Sequence, residues 1–132
     1  MNMPALNTSG RARGFTLIEL LVVLAIIAAL LTLSVPRYIK GLDKAREQAL
    51  IENLRLTREV IDKFYADTGK YPDSLDQLVE RQYLKALPVD PIIESSANWT
   101  LVAPPAGLPG RVYDLHSGAP GAGLSGRPYA EW

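Results

Sequence analysis

The chain has no cysteine, a single histidine and no net charge. Lack of cysteine removes disulfides, thiolate metal sites and thiol nucleophiles. It does not assign a reducing compartment, because an exported domain can draw its stability from packing or assembly. The lone histidine, His116, has no serine–aspartate pair or second imidazole to complete a site, and reads as a surface residue at a strand end. Balanced charge gives no general attraction to nucleic acid or acidic lipid. No glycine-rich phosphate loop follows a strand. Asp73, Asp76 and Glu80 read as a solvated helix face rather than an acid–base pair. Asn98-Trp99-Thr100 is a glycosylation-type sequon, a pattern short enough to arise by chance. No enzyme is expected.

What is present is a long apolar run. Every residue from Leu20 to Leu31 is apolar. The wider stretch Phe15–Val35 is about 21 residues, or about 31 Å as a helix, which matches a hydrocarbon core. Arg11 and Arg13 precede it and place the leader in the cytoplasm, although Lys40, Lys44 and Arg46 beyond it weaken that asymmetry. A discarded signal peptide should end in small residues, and Leu33-Ser34-Val35-Pro36 is a poor site. A buried soluble helix is disfavoured, because apolar residues run all the way round and a helix apolar on every face needs a large core or a bilayer to cover it. A plain signal anchor carrying an unrelated domain is the remaining simple reading.

Glu19 does not fit a plain anchor. A charge at membrane depth costs about 2.5–3.5 kcal/mol on insertion scales and should have a partner. The string Arg13-Gly14-Phe15-Thr16-Leu17-Ile18-Glu19 suggests one. A cut after Gly14 frees the Phe15 ammonium, which in one subunit can pair with Glu19 of another. Removing one member of a buried pair typically costs about 3–5 kcal/mol. Glu19 would thus act as a register key, as buried polar residues do in coiled coils.

The residues Arg13-Gly14-Phe15-Thr16-Leu17-Ile18-Glu19-Leu20-Leu21-Val22-Val23-Leu24-Ala25-Ile26-Ile27 resemble the class III leader of type IV pilins and type II secretion pseudopilins. In that family a membrane aspartic peptidase cuts after the glycine and methylates the new N-terminus. The resemblance implies that Gly14 precedes the scissile bond, Phe15 is methylated and Glu19 is the family's membrane glutamate. Pro36 falls on the helix-kinking proline. Asp67-Thr68-Gly69-Lys70-Tyr71-Pro72 and Leu87-Pro88-Val89-Asp90-Pro91 resemble two further signatures of major pseudopilins. Ile92-Ile93-Glu94-Ser95 departs from the aromatic and glycine that often follow.

After Pro36, Ile39, Leu42, Arg46, Leu50, Leu54, Thr57, Ile61, Phe64 and Tyr65 recur mostly three and four apart, an amphipathic stripe. One helix from Thr16 to about Ala66 is expected, bent at Pro36 and capped by Gly69. A short helix over Ser74–Arg81 follows, N-capped by Asp73 or Ser74, with Leu75, Leu78 and Val79 inward. Strands are expected at Trp99–Val102 and Val112–Leu115, with a third near Arg127–Glu131. The fold class is α+β. The resemblance makes it the type IV pilin-like fold, a long N-terminal helix with a membrane-embedded lower half, packed on a small antiparallel β-sheet.

The glycine- and proline-rich tail Ser117–Pro128 closes on Trp132, which should pin it as an ordered loop. Major pseudopilins end in a similar loop, and many bind calcium there. By resemblance Asp114 and Ser117 are the matching ligands, whereas Ala119, Ala122 and Ser125 stand where aspartates should follow. Calcium takes six to eight oxygens, so Asp114, Ser117 and backbone carbonyls form a weak set.

The expected layout is a removed leader over 1–14, a transmembrane helix over 15–35 and a periplasmic domain over 36–132. The resemblance implies a structural subunit of a periplasmic pseudopilus in type II secretion, held in the bacterial inner membrane. Implied partners are further copies of itself, minor pseudopilins, the prepilin peptidase/methyltransferase, the inner-membrane assembly platform and the lipid bilayer, with no nucleic acid. The alternatives are a type IV pilin of a surface fibre, or a membrane-anchored binding domain that never polymerises. Missing cysteine leans away from the pilin, since pilins commonly carry a C-terminal disulfide.

Overall fold

The computed structural model describes residues 2–4 and 14–132. The leader residues Arg11 and Arg13 lie outside the described residues. Helix α1 runs over Leu17–Thr68, 52 residues, and passes through Pro36 without interruption. Proline supplies no amide there, so the Thr32 carbonyl loses its helical partner. By its contacts the chain divides into two units between Tyr38 and Ile39, two residues beyond this proline.

Within the first unit the apolar side chains of α1 are all exposed, from Leu17 to Val35. None of the most apolar stretch is buried inside the chain, and α1 is long and apolar enough to cross a membrane. A core helix of a soluble domain would have its apolar side chains covered. Thr32 donates its hydroxyl back to the Ala28 carbonyl at 2.8 Å, so even this polar side chain is satisfied within the helix.

The second unit carries the core. Glu47, Leu50, Leu54, Thr57, Ile61 and Phe64 are the buried residues of α1, spaced alternately by three and four. Of these, Leu50, Leu54, Ile61 and Phe64 pack with Tyr71, Leu75, Leu78, Trp99, Val112 and Leu115. The expected stripe began earlier, but Ile39 and Leu42 are exposed. Arg46 is exposed as well, and Glu47 beside it turns inward. The reason is local: Glu47 finds hydrogen-bond donors in the C-terminal segment.

Helix α1 ends two residues beyond the expected position. Gly69 has φ +76°, and its amide donates to the Tyr65 carbonyl at 2.8 Å, a left-handed cap that only glycine takes without strain. Tyr71 then stacks on Tyr65 at 4.4 Å and meets Tyr113 edge-on at 5.1 Å. Helix α2, Leu75–Glu80, starts from Ser74, whose hydroxyl accepts the Gln77 amide at 3.2 Å. This makes Ser74, not Asp73, the N-cap. Leu75 and Leu78 are buried and Val79 is half-buried.

Strands β1, Thr100–Val102, and β2, Asp114–His116, pair antiparallel with Leu101 opposite Leu115. Each lies within the neighbourhood read from the sequence. The third strand does not form. Residues Tyr129–Glu131 are a 3-10 turn instead. Pro128 has no amide to donate to a ladder, and the chain folds back on itself, with Gly123 donating to the Arg127 carbonyl at 2.9 Å and Tyr129 to the Gly121 carbonyl at 3.1 Å. The architecture is α+β: a long N-terminal helix and a small antiparallel sheet.

Candidate functional site

The predicted site residues fall in two places, one in each unit. In the first, Gly14 and Phe15 precede α1 and are exposed, Phe15 to 89%. Thr16 and Glu19 form a reciprocal capping pair. The Thr16 hydroxyl accepts the Glu19 amide at 3.2 Å, and Glu19 Oε2 accepts the Thr16 amide at 3.3 Å. Two donors left over at the start of α1 are thereby satisfied. The sequence carries the signal, Thr-x-x-Glu before an apolar run, and this local role stands beside the pairing expected with a neighbour's amine. Around it Phe15, Ile18, Val22 and Val23 line a shallow apolar groove. Pro36 stands farther along the helix, within the uninterrupted span.

In the second unit Asp114 and Ser117 face different partners. Asp114 Oδ1 accepts Arg58 Nε at 2.7 Å and the Leu115 amide at 2.7 Å. Ser117 is fully buried. Its hydroxyl donates to Asp90 Oδ2 at 2.5 Å and accepts the Ala119 amide at 3.1 Å. Three residues apart in an extended run, the two side chains leave on opposite faces. The resemblance implied a calcium loop on these ligands, and the donor set does not fit one. The Asp114 carboxylate is already matched by a guanidinium, and Ser117 is committed to Asp90. Among the described residues no three acidic, histidine or cysteine side chains cluster to hold a metal.

Three residues missed from sequence organise this region. Asp90, fully buried, accepts the Ile92 amide at 3.0 Å besides Ser117, and its own amide donates to the Ser95 carbonyl. Neighbouring carbonyls complete the tie: Val89 accepts from Asn53 and Pro88 from the Trp99 indole, both at 2.8 Å. Glu47 Oε1 accepts the Leu124 amide at 2.7 Å and the Tyr129 hydroxyl at 3.0 Å. Burial, and then this bond to Glu47, push the Tyr129 phenol up from its ordinary range. Arg58 reaches beyond Asp114 to the main-chain oxygens of Leu115 and Trp132, at 2.8 and 3.1 Å. Counting back by three from Leu50 would have found Glu47; Arg58, beside the stripe, gives no such signal.

A groove of about 910 Å³ runs past Arg55, Arg58, Asp114, His116 and Trp132. Arg55 in this groove is engaged internally, pairing with Glu52 at 2.7 Å and Glu59 at 2.6 Å. His116 Nδ1 lies 2.5 Å from the Trp132 main-chain oxygen, at the end of β2. The arrangement ties these side chains to one another and to the neighbouring backbone.

Residues 9–35 match the prokaryotic N-terminal methylation motif. The type II secretion system core protein G of Escherichia coli K12 is 31% identical over 102 residues, covering 65% of this chain and 70% of that protein. The chain belongs to the type II secretion system core protein G family. The core protein G of Dickeya chrysanthemi is 30% identical over 110 residues, covering 71% of this chain and 70% of its own length. A type IV major pilin protein, PilA of Myxococcus xanthus, is 32% identical over 68 residues, but only 31% of its length is covered. No solved structure matches the chain at a significant level. These core protein G relatives align with about two thirds of the chain.

Proposed function

We propose that this chain is the repeating structural subunit of a periplasmic pseudopilus that drives protein export in type II secretion. The precursor is cut between Gly14 and Phe15 and methylated on Phe15. Residues 15–35 hold the subunit in the inner membrane, with the remainder in the periplasm. Further copies of the chain, minor pseudopilins, the prepilin peptidase/methyltransferase and the inner-membrane assembly platform are its partners. The observation that carries this reading is Glu19, a carboxylate on an uncovered apolar helix just past an exposed Gly14–Phe15 pair.

Before assembly, the Thr16 capping pair gives the Glu19 carboxylate one local donor. That contact engages one oxygen and leaves the charge uncompensated. A neighbour's Phe15 ammonium supplies the missing positive charge. Docking then offsets two membrane penalties together, that of the acid and that of the amine. Pro36 and the head it introduces set where the next copies pack. A surface pilus is the second reading, supported by the match to the Myxococcus pilin, but far less of that relative is covered.

Two substitutions separate capping from pairing. Glu19→Gln keeps an acceptor for the Thr16 amide and removes the charge, whereas Glu19→Ala removes both. Both variants are expected to insert and to be processed, yet to enter fibres at about a tenth of the normal yield or less, on the basis of a lost buried pair. Fibre yield by shearing and blotting, with mass spectrometry of the mature N-terminus, checks this. Normal fibres from Glu19→Gln would leave the carboxylate with a capping role alone.

A further inference from the structure

We propose that residues 117–132 are held in place by two charged side chains of α1, Arg58 and Glu47, which do the work a divalent cation would do there. Order in this segment is then independent of calcium. The inference goes beyond the pseudopilus reading and does not rest on it.

A bound cation closes a loop by neutralising carboxylate and gathering carbonyl oxygens around one positive centre. Arg58 performs both tasks with directed donors. Its Nε meets Asp114 Oδ1 at 2.7 Å, and its Nη2 reaches the main-chain oxygens of Leu115 at 2.8 Å and Trp132 at 3.1 Å. The planar guanidinium suits such divided recognition because its donors are fixed in a fork. A second cation brought to Asp114 would meet this charge at close range and be repelled.

Glu47 holds the other part of the segment through the Leu124 amide and the Tyr129 hydroxyl. Only 8% of Glu47 is exposed, so its carboxylate relies on those donors. The segment lies very close to it. A Cβ on Gly123 would sit 2.6 Å from the Trp132 ring and 2.9 Å from the Glu47 carboxylate. Two of the three positions where aspartates should follow match this design. Ala119 is buried with a bare methyl group, and neither it nor Ala122 offers a side-chain oxygen.

The test is hydrogen exchange of the full chain in detergent micelles, read over the amides of 117–132 in chelator and in millimolar calcium. Wild type is expected to exchange equally in both. Arg58→Met should speed exchange in this segment about tenfold or more, consistent with losing several charge-assisted bonds, and calcium should not restore it. Glu47→Gln should loosen residues 123–129 more than the rest. Slower exchange of wild type with calcium would overturn the proposal, as would an Arg58→Met segment as protected as wild type. Should Arg58→Met fail to fold, the wild-type comparison decides alone.

Discussion

Tyr71, Tyr83 and Tyr129 each hold their phenolic proton more tightly than an ordinary tyrosine, whose value is 10.0. For Tyr71 the main cause is burial beneath its neighbours, followed by Tyr113 and Tyr65. For Tyr83 it is the bond to the Asp67 carboxylate, 2.8 Å away, with burial second. Raised folded values mean that the native state keeps protons the unfolded chain releases. Their stabilising contribution is complete below about pH 10 and is lost as pH rises through the folded values. Melting temperatures followed above pH 10 with tyrosinate absorbance should fall as those groups ionise; a flat profile would contradict it. Single residues were unevenly legible beforehand. Glu19 stood out because charge among apolar residues is conspicuous. Arg58 did not, because Asp114, Leu115 and Trp132 lie far along the chain and only folding brings them to it.

At the scale of elements, periodicity carried most of the information. Leu50, Leu54, Thr57, Ile61 and Phe64 repeat with helical spacing, and all are buried. Ile61→Ala should therefore cost about 2–5 kcal/mol of head stability, measured by denaturant unfolding. Ser74→Ala should cost about 1 kcal/mol, with the loss of protection concentrated in α2. Equal effects of the two would mean that core and cap are not distinct contributions. Strands of three residues cannot hold a sheet by themselves. Leu115, fully buried between its neighbours, supplies the missing support. The third strand expected near Arg127–Glu131 does not form: so short a run carries little hydrophobic alternation, and the aromatic Tyr129 and Trp132 suit a turn as well as a strand. Just before it Gly121 and Gly126 take positive φ, 84° and 85°, and send the chain back on itself.

For the molecule as a whole, the two units call for different solvents. Buried core residues run from Leu50 to Ala119 and lie entirely in the second unit. A chain beginning at Ile39 should therefore be soluble and unfold in one cooperative transition, by sedimentation and calorimetry. Broad or aggregating transitions would show that the apolar helix contributes to the fold. That helix exposes a contiguous apolar surface larger than water tolerates, which lipid or neighbouring copies must cover. The clasp made by Arg58 adds a constraint of timing. It joins residues 57 and 74 positions apart in sequence. A nascent chain carries the guanidinium out of the ribosome well before Trp132 has been translated. A chain cut short of Trp132 would lack one of the three residues that Arg58 holds.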